Sequence, residues 1–356
     1  MKTATPKTTK VFVFLFLIII ATPLILFALR IKIEPTKKND RKISLNFKRN
    51  FPLREDLIKV NNHIKSNYLE ANAFPEKIVE GLDGWKFVGD NYSNALSESK
   101  GFLIFSDEEL ILLEKNLKKR KAFFKTQGIN YYIAVAPNKL SVYADKLPIS
   151  NYGKTTKAKQ FATLCKSLDI NFIDLGNQFP DPNKELLYFK TDTHWNYTAG
   201  TYAFNEVYKH LSKRYKNHNL RDYNSSNLVE NSEKLSIGDL NDMLLLDHTE
   251  ESTVYSIKNP RIATPIANKL SLPADYVFKP SQYESRFTTN TNDLKIMVLN
   301  DSFFGYIKSY FVDNFGESVF LWEHTYRKDL IKSEKPDIFF HEIVERNLDI
   351  FLADLR

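Results

Sequence analysis

The alternation of apolar, strand-like runs with helical segments limits the folds that this chain of 356 residues can adopt. Ile129 to Val135 and Leu294 to Leu299 have the length and the largely apolar character of buried strands. Helical patterns occur between these runs, near Thr155 to Leu168 and from Thr198 to Tyr215. Because strands that alternate with helices form parallel sheets through crossover connections, we predict an α/β fold with a central, mostly parallel sheet.

Shorter signals predict the remaining elements. Ser106 and Glu109 have the pattern of a capping box, which predicts a helix that begins there. Asp83 and Gly84 predict a tight hairpin turn within Ile78 to Asp90. Helices are also predicted over Leu53–Leu69 and Ser302–Phe315, strands over Phe172–Asp174, Ser318–Trp322 and Pro336–Phe340, and a polar loop over Asp222–Leu235.

Composition and charge exclude several classes of function. The net charge of +7 is modest for this length and is spread along the chain, so we predict no nucleic-acid partner. Cys165 is the only cysteine, which excludes a disulfide within the chain and a cysteine-type zinc cluster. The sequence contains no Walker-type or dinucleotide-binding motif, and we predict neither a metal nor a cofactor.

The apolar run from Val11 to Leu29 is interrupted only by Thr22 and Pro23. It has about the 20 residues that one helix needs to cross a bilayer, and membrane helices tolerate a proline. The alternative is a cleaved signal peptide, for which Leu26 to Arg30 is a poor cleavage site. We therefore predict a single-pass transmembrane anchor over residues 11–29, after a cytoplasmic N-terminus over residues 1–10.

A polar and basic segment over residues 30–50 follows the anchor. We interpret it as a solvated linker, with contact to anionic lipid head groups as the alternative. The lysines and arginines after the anchor would place the main domain in the cytoplasm by a simple positive-inside count. Large domains cross membranes with little regard to such charges, so the count decides little.

Two polar turns carry the residue types of nucleophilic catalysis. Asp192 and His194 lie two residues apart within Tyr188 to Asn196, and Ser302 follows the predicted strand over Leu294 to Leu299. A serine hydroxyl reacts when a histidine takes its proton, and the histidine needs an orienting carboxylate. We predict Ser302 as the nucleophile, His194 as the base and Asp192 as its orienting acid. Read separately, Ser302 would be an ordinary helix cap and His194 an ordinary packed histidine.

The ordered set of motifs resembles a known family. Asp192-Thr-His-Trp-Asn196, Gly-Asp-Leu from Gly238, Asp-Ser-Phe from Asp301 and a closing Glu-x-x-Glu-Arg from Glu342 are similar to the SGNH-hydrolase-like domain of alginate O-acetyltransferases of the AlgX and AlgJ type. Asp83-Gly-Trp-x-Phe87 and Pro137-Asn-Lys139 also fit, and together the motifs cover roughly residues 50–350. The resemblance implies a three-layer SGNH-hydrolase-like fold over residues 51–356 and assigns the same three roles to Ser302, His194 and Asp192.

The resemblance also implies a location and partners. Such enzymes are exported, often membrane-tethered, and acetylate extracytoplasmic polysaccharide with a membrane-bound O-acyltransferase as the acetyl source. We therefore expect a domain that faces the periplasm or cell exterior. Nothing after Arg356 resembles the carbohydrate-binding module of longer members, so we expect the catalytic domain or partners to hold the glycan.

Four further residues are candidates for the oxyanion or the substrate. Asn138 is the preferred second oxyanion donor, with a turn cap as the alternative. Asn300 replaces the glycine that usually precedes Asp-Ser, and it either narrows the turn or supplies a donor. Trp195 either forms a wall of the site or braces His194. Arg327, with Tyr326, faces a sugar acid or forms an ordinary surface pair. Lys139 is expected to support the fold, and Glu342, Glu345 and Arg346 are expected to form an ion-pair network.

We therefore predict an O-acetyltransferase that works through an acetyl-serine intermediate. An acetylesterase with the same triad is one alternative, and a non-catalytic glycan-binding or scaffold subunit of an export complex is another.

Overall fold

A computed structural model describes residues 6–30, 58–62, 64–65, 75–149, 152–235, 238–244, 246, 249–270, 284–324 and 327–354. The chain divides into two compact units. One comprises Met1–Ala73 with Met243–Leu246, and the other comprises Phe74–Asp242 with Asp247–Arg356. The candidate site lies in the second unit.

The first unit contains a helix of 25 residues, α1 (Pro6–Arg30). In the described part of the chain, no helix combines the length and the apolarity that a bilayer crossing requires. The predicted anchor therefore stays a prediction, and the linker after Arg30 lies outside the described residues. Residues 58–62 and 64–65 are helical, within the helix predicted over Leu53–Leu69.

Most of the second unit is built from short strands and helices. In chain order its strands are β1 (Ile78–Glu80), β2 (Lys86–Val88), β3 (Asn130–Ala136), β4 (Asn171–Asp174), β5 (Leu228–Leu235), β6 (Glu250–Ile257), β7 (Thr264–Ile266), β8 (Glu284–Thr288), β9 (Lys295–Asn300), β10 (Glu317–Trp322) and β11 (Ile338–Val344). Its described α-helices are α2 (Ala95–Ser99), α3 (Asp107–Thr126), α4 (Lys139–Val142), α5 (Lys157–Ser167), α6 (Tyr197–Arg214), α7 (Asp239–Leu244, whose last two residues are assigned to the first unit), α8 (Lys308–Asn314) and α9 (Lys328–Glu334). Within its described residues, four 3-10 helices span Leu82–Gly84, Ala144–Lys146, Ser302–Tyr306 and Glu345–Leu352.

A seven-stranded sheet forms the centre of this unit, in the order β4-β3-β11-β9-β10-β8-β7. The first five strands in that order run parallel, whereas β8 pairs antiparallel with β10, and β7 with β8. The prediction of a mostly parallel sheet is therefore confirmed. Because the carboxyl ends of the parallel strands meet at one edge, the turns after β3, β9 and β11 come together there.

Helices cover both faces of the sheet. Consecutive residues of a strand point to opposite faces. On β11, the Phe339 ring stacks on Phe124 of α3 at 4.8 Å, and the next residue, Phe340, packs edge-on against Phe311 of α8 at 5.1 Å. Thus α3 and α8 lie on opposite sides, and the architecture has three layers. The capping box predicted for α3 is present between Ser106 and Glu109.

Three local predictions need correction. The loop predicted over Asp222–Leu235 contains β5, which pairs antiparallel with β6. Most of β5 is exposed on both faces, so it lacks the apolar alternation that identifies a half-buried strand. The helix predicted over Ser302–Phe315 is a 3-10 helix followed by α8. The hairpin of β1 and β2 is present, but a 3-10 helix joins its strands instead of a two-residue turn, with Asp83 at φ 55° and Gly84 at φ 78°.

Candidate active site

The end of β9 places Ser302 at the carboxyl edge of the sheet. Asp301, which is 4% exposed, begins the following 3-10 helix. One of its carboxylate oxygens accepts from the N–H of Phe303 at 2.9 Å, and the other accepts from the N–H of Val344 at 2.8 Å. The backbone N–H of Asp301 donates to Glu342 on β11 at 3.1 Å. These bonds tie the turn that carries Ser302 to the neighbouring strand.

His194 joins the serine to a carboxylate. Its Nε2 lies 2.8 Å from Ser302 Oγ, and its Nδ1 lies 2.6 Å from Asp192 Oδ1. The two turns, separated by 108 residues in the chain, thus form one hydrogen-bonded series. This is the arrangement in which an imidazole can accept a hydroxyl proton while a carboxylate holds its other nitrogen.

Asp192 stays ionised in this arrangement. Burial alone would raise its pKa, but the hydrogen bond and the charge of His194 prevail and lower the pKa to about 2. Asp192 also accepts from the backbone N–H of His194 at 2.9 Å and from that of Asp239 at 3.0 Å. The carboxylate is thereby fixed in position as well as charged.

A second carboxylate, Asp239, lies beside the first. It accepts from the N–H of Thr193 at 2.7 Å and from the Thr193 hydroxyl at 2.5 Å, and its Oδ2 is 4.0 Å from His194 Nδ1. Burial, and then the charge of Asp192, raise the pKa of Asp239. The sequence contained one signal for it, the Gly-Asp-Leu motif, but no sign of its place beside Thr193. Gly238 has φ 140°, which favours glycine, and a Cβ there would lie 3.0 Å from Thr191 Oγ1.

Asp192, His194 and Asp239 are also the described side chains that could hold a metal ion together. Each offers one ligand atom, and these atoms lie within 4.8 Å of one another. The hydrogen bonds to His194 and Thr193 already account for how the two carboxylates are placed.

A family model described as the SGNH hydrolase-like domain of acetyltransferase AlgX matches residues 78–282, more than half of the chain. The chain belongs to this family. The match includes Asp192, His194 and Asp239, but Ser302 lies beyond it. The place of the serine in the site therefore rests on the geometry described above.

Two solved structures share the fold of this AlgX-like chain, and a third is similar to it at a lower score. PatB1 of Bacillus cereus, solved with a sulfonyl adduct, is 15% identical with a TM-score of 0.54, and the match covers 77% of this chain and 96% of that one. A DHHW family protein of Eubacterium siraeum is 16% identical with a TM-score of 0.50, covering 76% and 92%. The O-acetyltransferase domain of Pseudomonas putida AlgJ is 15% identical with a TM-score of 0.48, covering 78% and 93%. No curated protein matches the chain.

Asn138 and Trp195 form part of the framework around the Asp192–His194–Ser302 series of this AlgX-like chain. Asn138 is 1% exposed; its amide nitrogen donates to Ser99 Oγ at 3.3 Å, and its amide oxygen accepts from Arg346 at 3.0 Å. Trp195 is fully buried, and its indole N–H donates to the carbonyl of Phe303 at 2.9 Å. These contacts indicate that Trp195 braces the turn that carries Ser302 and does not form a wall of the site.

Asn300 and Arg327 make local contacts. The Asn300 amide nitrogen donates to the carbonyl of Asp301 at 3.0 Å, and its amide oxygen is buried without a hydrogen-bond partner among the described residues. Arg327 forms two hydrogen bonds with Asp329, at 3.0 and 2.6 Å, as an ordinary surface pair does. Tyr326 lies outside the described residues.

The ion-pair network expected of Glu342, Glu345 and Arg346 is absent from the described side chains. Arg346 instead donates to the side-chain oxygen of Asn138, and Glu345 accepts from the hydroxyl of Ser141. Burial and the charge of Asp301 raise the pKa of Glu342 well above its usual value. A glutamate kept neutral in this way supports the Asp301 turn by hydrogen bonding and not by charge.

The backbone at the serine offers an oxyanion donor. Asp301 already occupies the N–H of Phe303, whereas the N–H of Ser302 has no hydrogen-bond acceptor among the described residues. When a serine at the start of a helical turn attacks a carbonyl group, negative charge develops on the carbonyl oxygen. The backbone N–H of the same serine can donate a hydrogen bond to that oxygen. The Ser302 N–H is therefore the first candidate for this role, ahead of the Asn138 side chain.

Proposed function

We propose that this protein is an O-acyltransferase that moves acetyl groups onto hydroxyl groups of an extracytoplasmic polysaccharide. Membership of the AlgX acetyltransferase family supports the reaction class. The observation that carries the proposal is the hydrogen-bonded series from Asp192 through His194 to Ser302, at 2.6 and 2.8 Å.

The first half of the reaction forms an acetyl-enzyme. His194 Nε2 accepts the Ser302 proton while Oγ attacks the carbonyl carbon of the donor ester or thioester. The N–H of Ser302 stabilises the oxyanion, and Asp192 stabilises the imidazolium. When the tetrahedral intermediate collapses, His194 returns the proton to the leaving group, and the acetyl group remains on Oγ.

The second half reverses these steps with a different nucleophile. A hydroxyl of the glycan gives its proton to His194 and attacks the acetyl carbon, and Ser302 recovers its proton when it leaves. Water competes for the same intermediate, and its reaction would make the enzyme an acetylesterase. A site from which water is excluded would favour transfer over hydrolysis. Product analysis with and without an acceptor glycan separates the two activities.

Exposure to a chromogenic acetyl ester is expected to leave one acetyl group on the protein. Intact-mass measurement at short times would detect it, and peptide mapping should place it on the peptide that contains Ser302. The reason is that Oγ is the hydroxyl that His194 Nε2 contacts. Acetylation confined to lysines would contradict the proposal, because it would be the reagent's ordinary reaction with amines.

We further propose that the apolar run over residues 11–29 tethers the domain to the cytoplasmic membrane and that the domain faces the periplasm or cell exterior. The apolar side chains of α1, among them Phe12, Phe14 and Ile19, are exposed, as the lipid-facing residues of an anchor would be. A membrane-bound O-acyltransferase is the proposed acetyl source. Protease added outside spheroplasts of an expressing bacterium should degrade the domain and spare a cytoplasmic marker; protection of the domain would place it inside.

A further inference from the structure

The amine of Lys139 lies against the turn that carries Asp192 and His194. Its Nζ donates to three backbone carbonyl oxygens of that turn, those of Phe189 at 3.0 Å, Lys190 at 3.1 Å and Asp192 at 2.7 Å. An ammonium group has three N–H donors, so all of them are used. Lys139 is 3% exposed, and it therefore acts on the protein's own backbone and not on a substrate.

The hairpin of β1 and β2 covers this amine. The rings of Trp85 and Phe87 have their centroids 5.6 and 5.3 Å from Lys139 Nζ, within the range of a cation–π contact. The backbone N–H of Lys86, between them, donates to the carbonyl of Lys190 at 2.9 Å. The hairpin therefore both encloses the amine and bonds to the same turn.

Carboxylates hold the N–H groups of the turn. Glu250, at the start of β6, accepts from the backbone N–H of Lys190 at 2.8 Å and from that of Thr191 at 2.6 Å. Asp239 accepts from Thr193, as described above. The turn is thus held by a cation at its carbonyl groups and by anions at its N–H groups. The same anions offset part of the cost of burying the amine.

We propose that Lys139 is a positioning residue that holds the Asp192–His194 turn in the geometry that brings His194 to Ser302, with Trp85 and Phe87 as its cover. The inference rests on the proposed function, because it assigns Lys139 a part in acyl transfer. Without the ammonium group, the buried carbonyls of Phe189 and Asp192 lose this donor, whereas the carbonyl of Lys190 keeps the N–H of Lys86. A buried carbonyl without a donor is destabilising. The turn would then shift to recover hydrogen bonds, and a displacement of about 1 Å at a reacting group can cost about 10²-fold in rate.

Burial and hydrogen bonding act in opposite directions on the charge of this amine, because three carbonyl acceptors favour the ammonium form and burial opposes it. Burial lowers the pKa of Lys139 to about 7, although the carboxylates of Asp239, Asp192 and Glu250 oppose the shift. An amine buried at such a cost beside a proton-transfer site is more typical of a functional element than of simple packing.

The Lys139→Met variant of the full chain tests the proposal. Methionine keeps most of the side-chain volume and removes the three donors. We expect kcat for the chromogenic acetyl ester to fall about 10- to 100-fold, with little change in KM. We also expect the downfield proton resonance of the His194–Asp192 hydrogen bond to shift or broaden, which a loss of global stability alone would not produce.

Lys100→Met is the matched control. Lys100 is 1% exposed, donates to the carbonyl of Ile149 at 3.4 Å, and packs over the ring of Tyr152, and neither of these residues belongs to the turn. This variant should keep the resonance and kcat. A folded Lys139→Met protein with the kinetics and the resonance of the control would overturn the proposal. If Lys139→Met does not fold, Trp85→Leu takes its place, since it uncovers the amine; an unchanged resonance and kcat there would also overturn it.

The two proposals fail in distinguishable ways. If the unsubstituted protein forms no acetyl-serine, the proposed function fails. The His194 resonance still reports whether Lys139 sets the geometry of the turn, because that measurement needs no turnover.

Discussion

Replacing Ser302 by alanine is expected to abolish the acetyl-enzyme and to lower kcat/KM for an acetyl ester by about 10⁴-fold or more. The reason is that Oγ, 2.8 Å from His194 Nε2, is the atom that the covalent step modifies. Without it, His194 can only activate water, and the transfer route is lost. The stability of the protein should change little, since the substitution removes one hydroxyl at a partly exposed position. Stopped-flow measurement of ester cleavage and the melting temperature check both statements.

Ser318→Ala is the matched control for this experiment. Ser318 lies on β10, and its hydroxyl is buried without a hydrogen-bond partner among the described residues. The control should retain the acetyl-enzyme and normal kinetics. In cells, Ser302→Ala should remove acetyl groups from the polymer. Unchanged acetylation, with normal amounts of folded variant, would instead favour a scaffold subunit in an export complex.

The sheet and its helices could be predicted because their signals are local. α3 has a capping box at Ser106, and β3 and β9 are short apolar runs that end in polar turns. β5 could not be predicted, because a two-stranded ribbon exposed on both faces needs no apolar alternation. The 3-10 helix over Leu82–Gly84 was missed because Asp83-Gly84 is equally compatible with a two-residue turn.

The sequence predicts which residues could form the candidate site, but it does not predict which residues hold them in place. The pairing of Asp192 with His194 is encoded within one turn, and Ser302 follows a recognisable strand. By contrast, Asp239, Glu250 and Lys139 reach the turn from distant parts of the chain, and nothing in their local sequence reports the contact. The position of Asn138 after β3 predicts an oxyanion donor. The structure bonds its amide to Ser99 and Arg346, which only tertiary packing determines.

Replacing Asp192 by asparagine is expected to lower kcat/KM by about 10⁴-fold, whereas Asp239→Asn should lower it only about tenfold. Both carboxylates lie near His194 Nδ1, but Asp192 Oδ1 is at 2.6 Å and Asp239 Oδ2 is at 4.0 Å. Asparagine at position 192 can present an N–H to Nδ1, which favours the tautomer with its proton on Nε2. That tautomer cannot accept the Ser302 proton.

Asp239 holds Thr193 and not the imidazole, so asparagine there can keep one of its two hydrogen bonds as an acceptor. Loss of the other hydrogen bond should loosen the turn that carries His194, but His194 should keep the tautomer with its proton on Nδ1. The two variants remove the same charge from neighbouring positions, and each is therefore the control for the other. Equal losses of kcat/KM, with both variants folded, would mean that the summed negative charge matters more than the direct bond, and Asp192 would lose its separate role as the orienting acid. A larger loss in Asp239→Asn would transfer that role to Asp239.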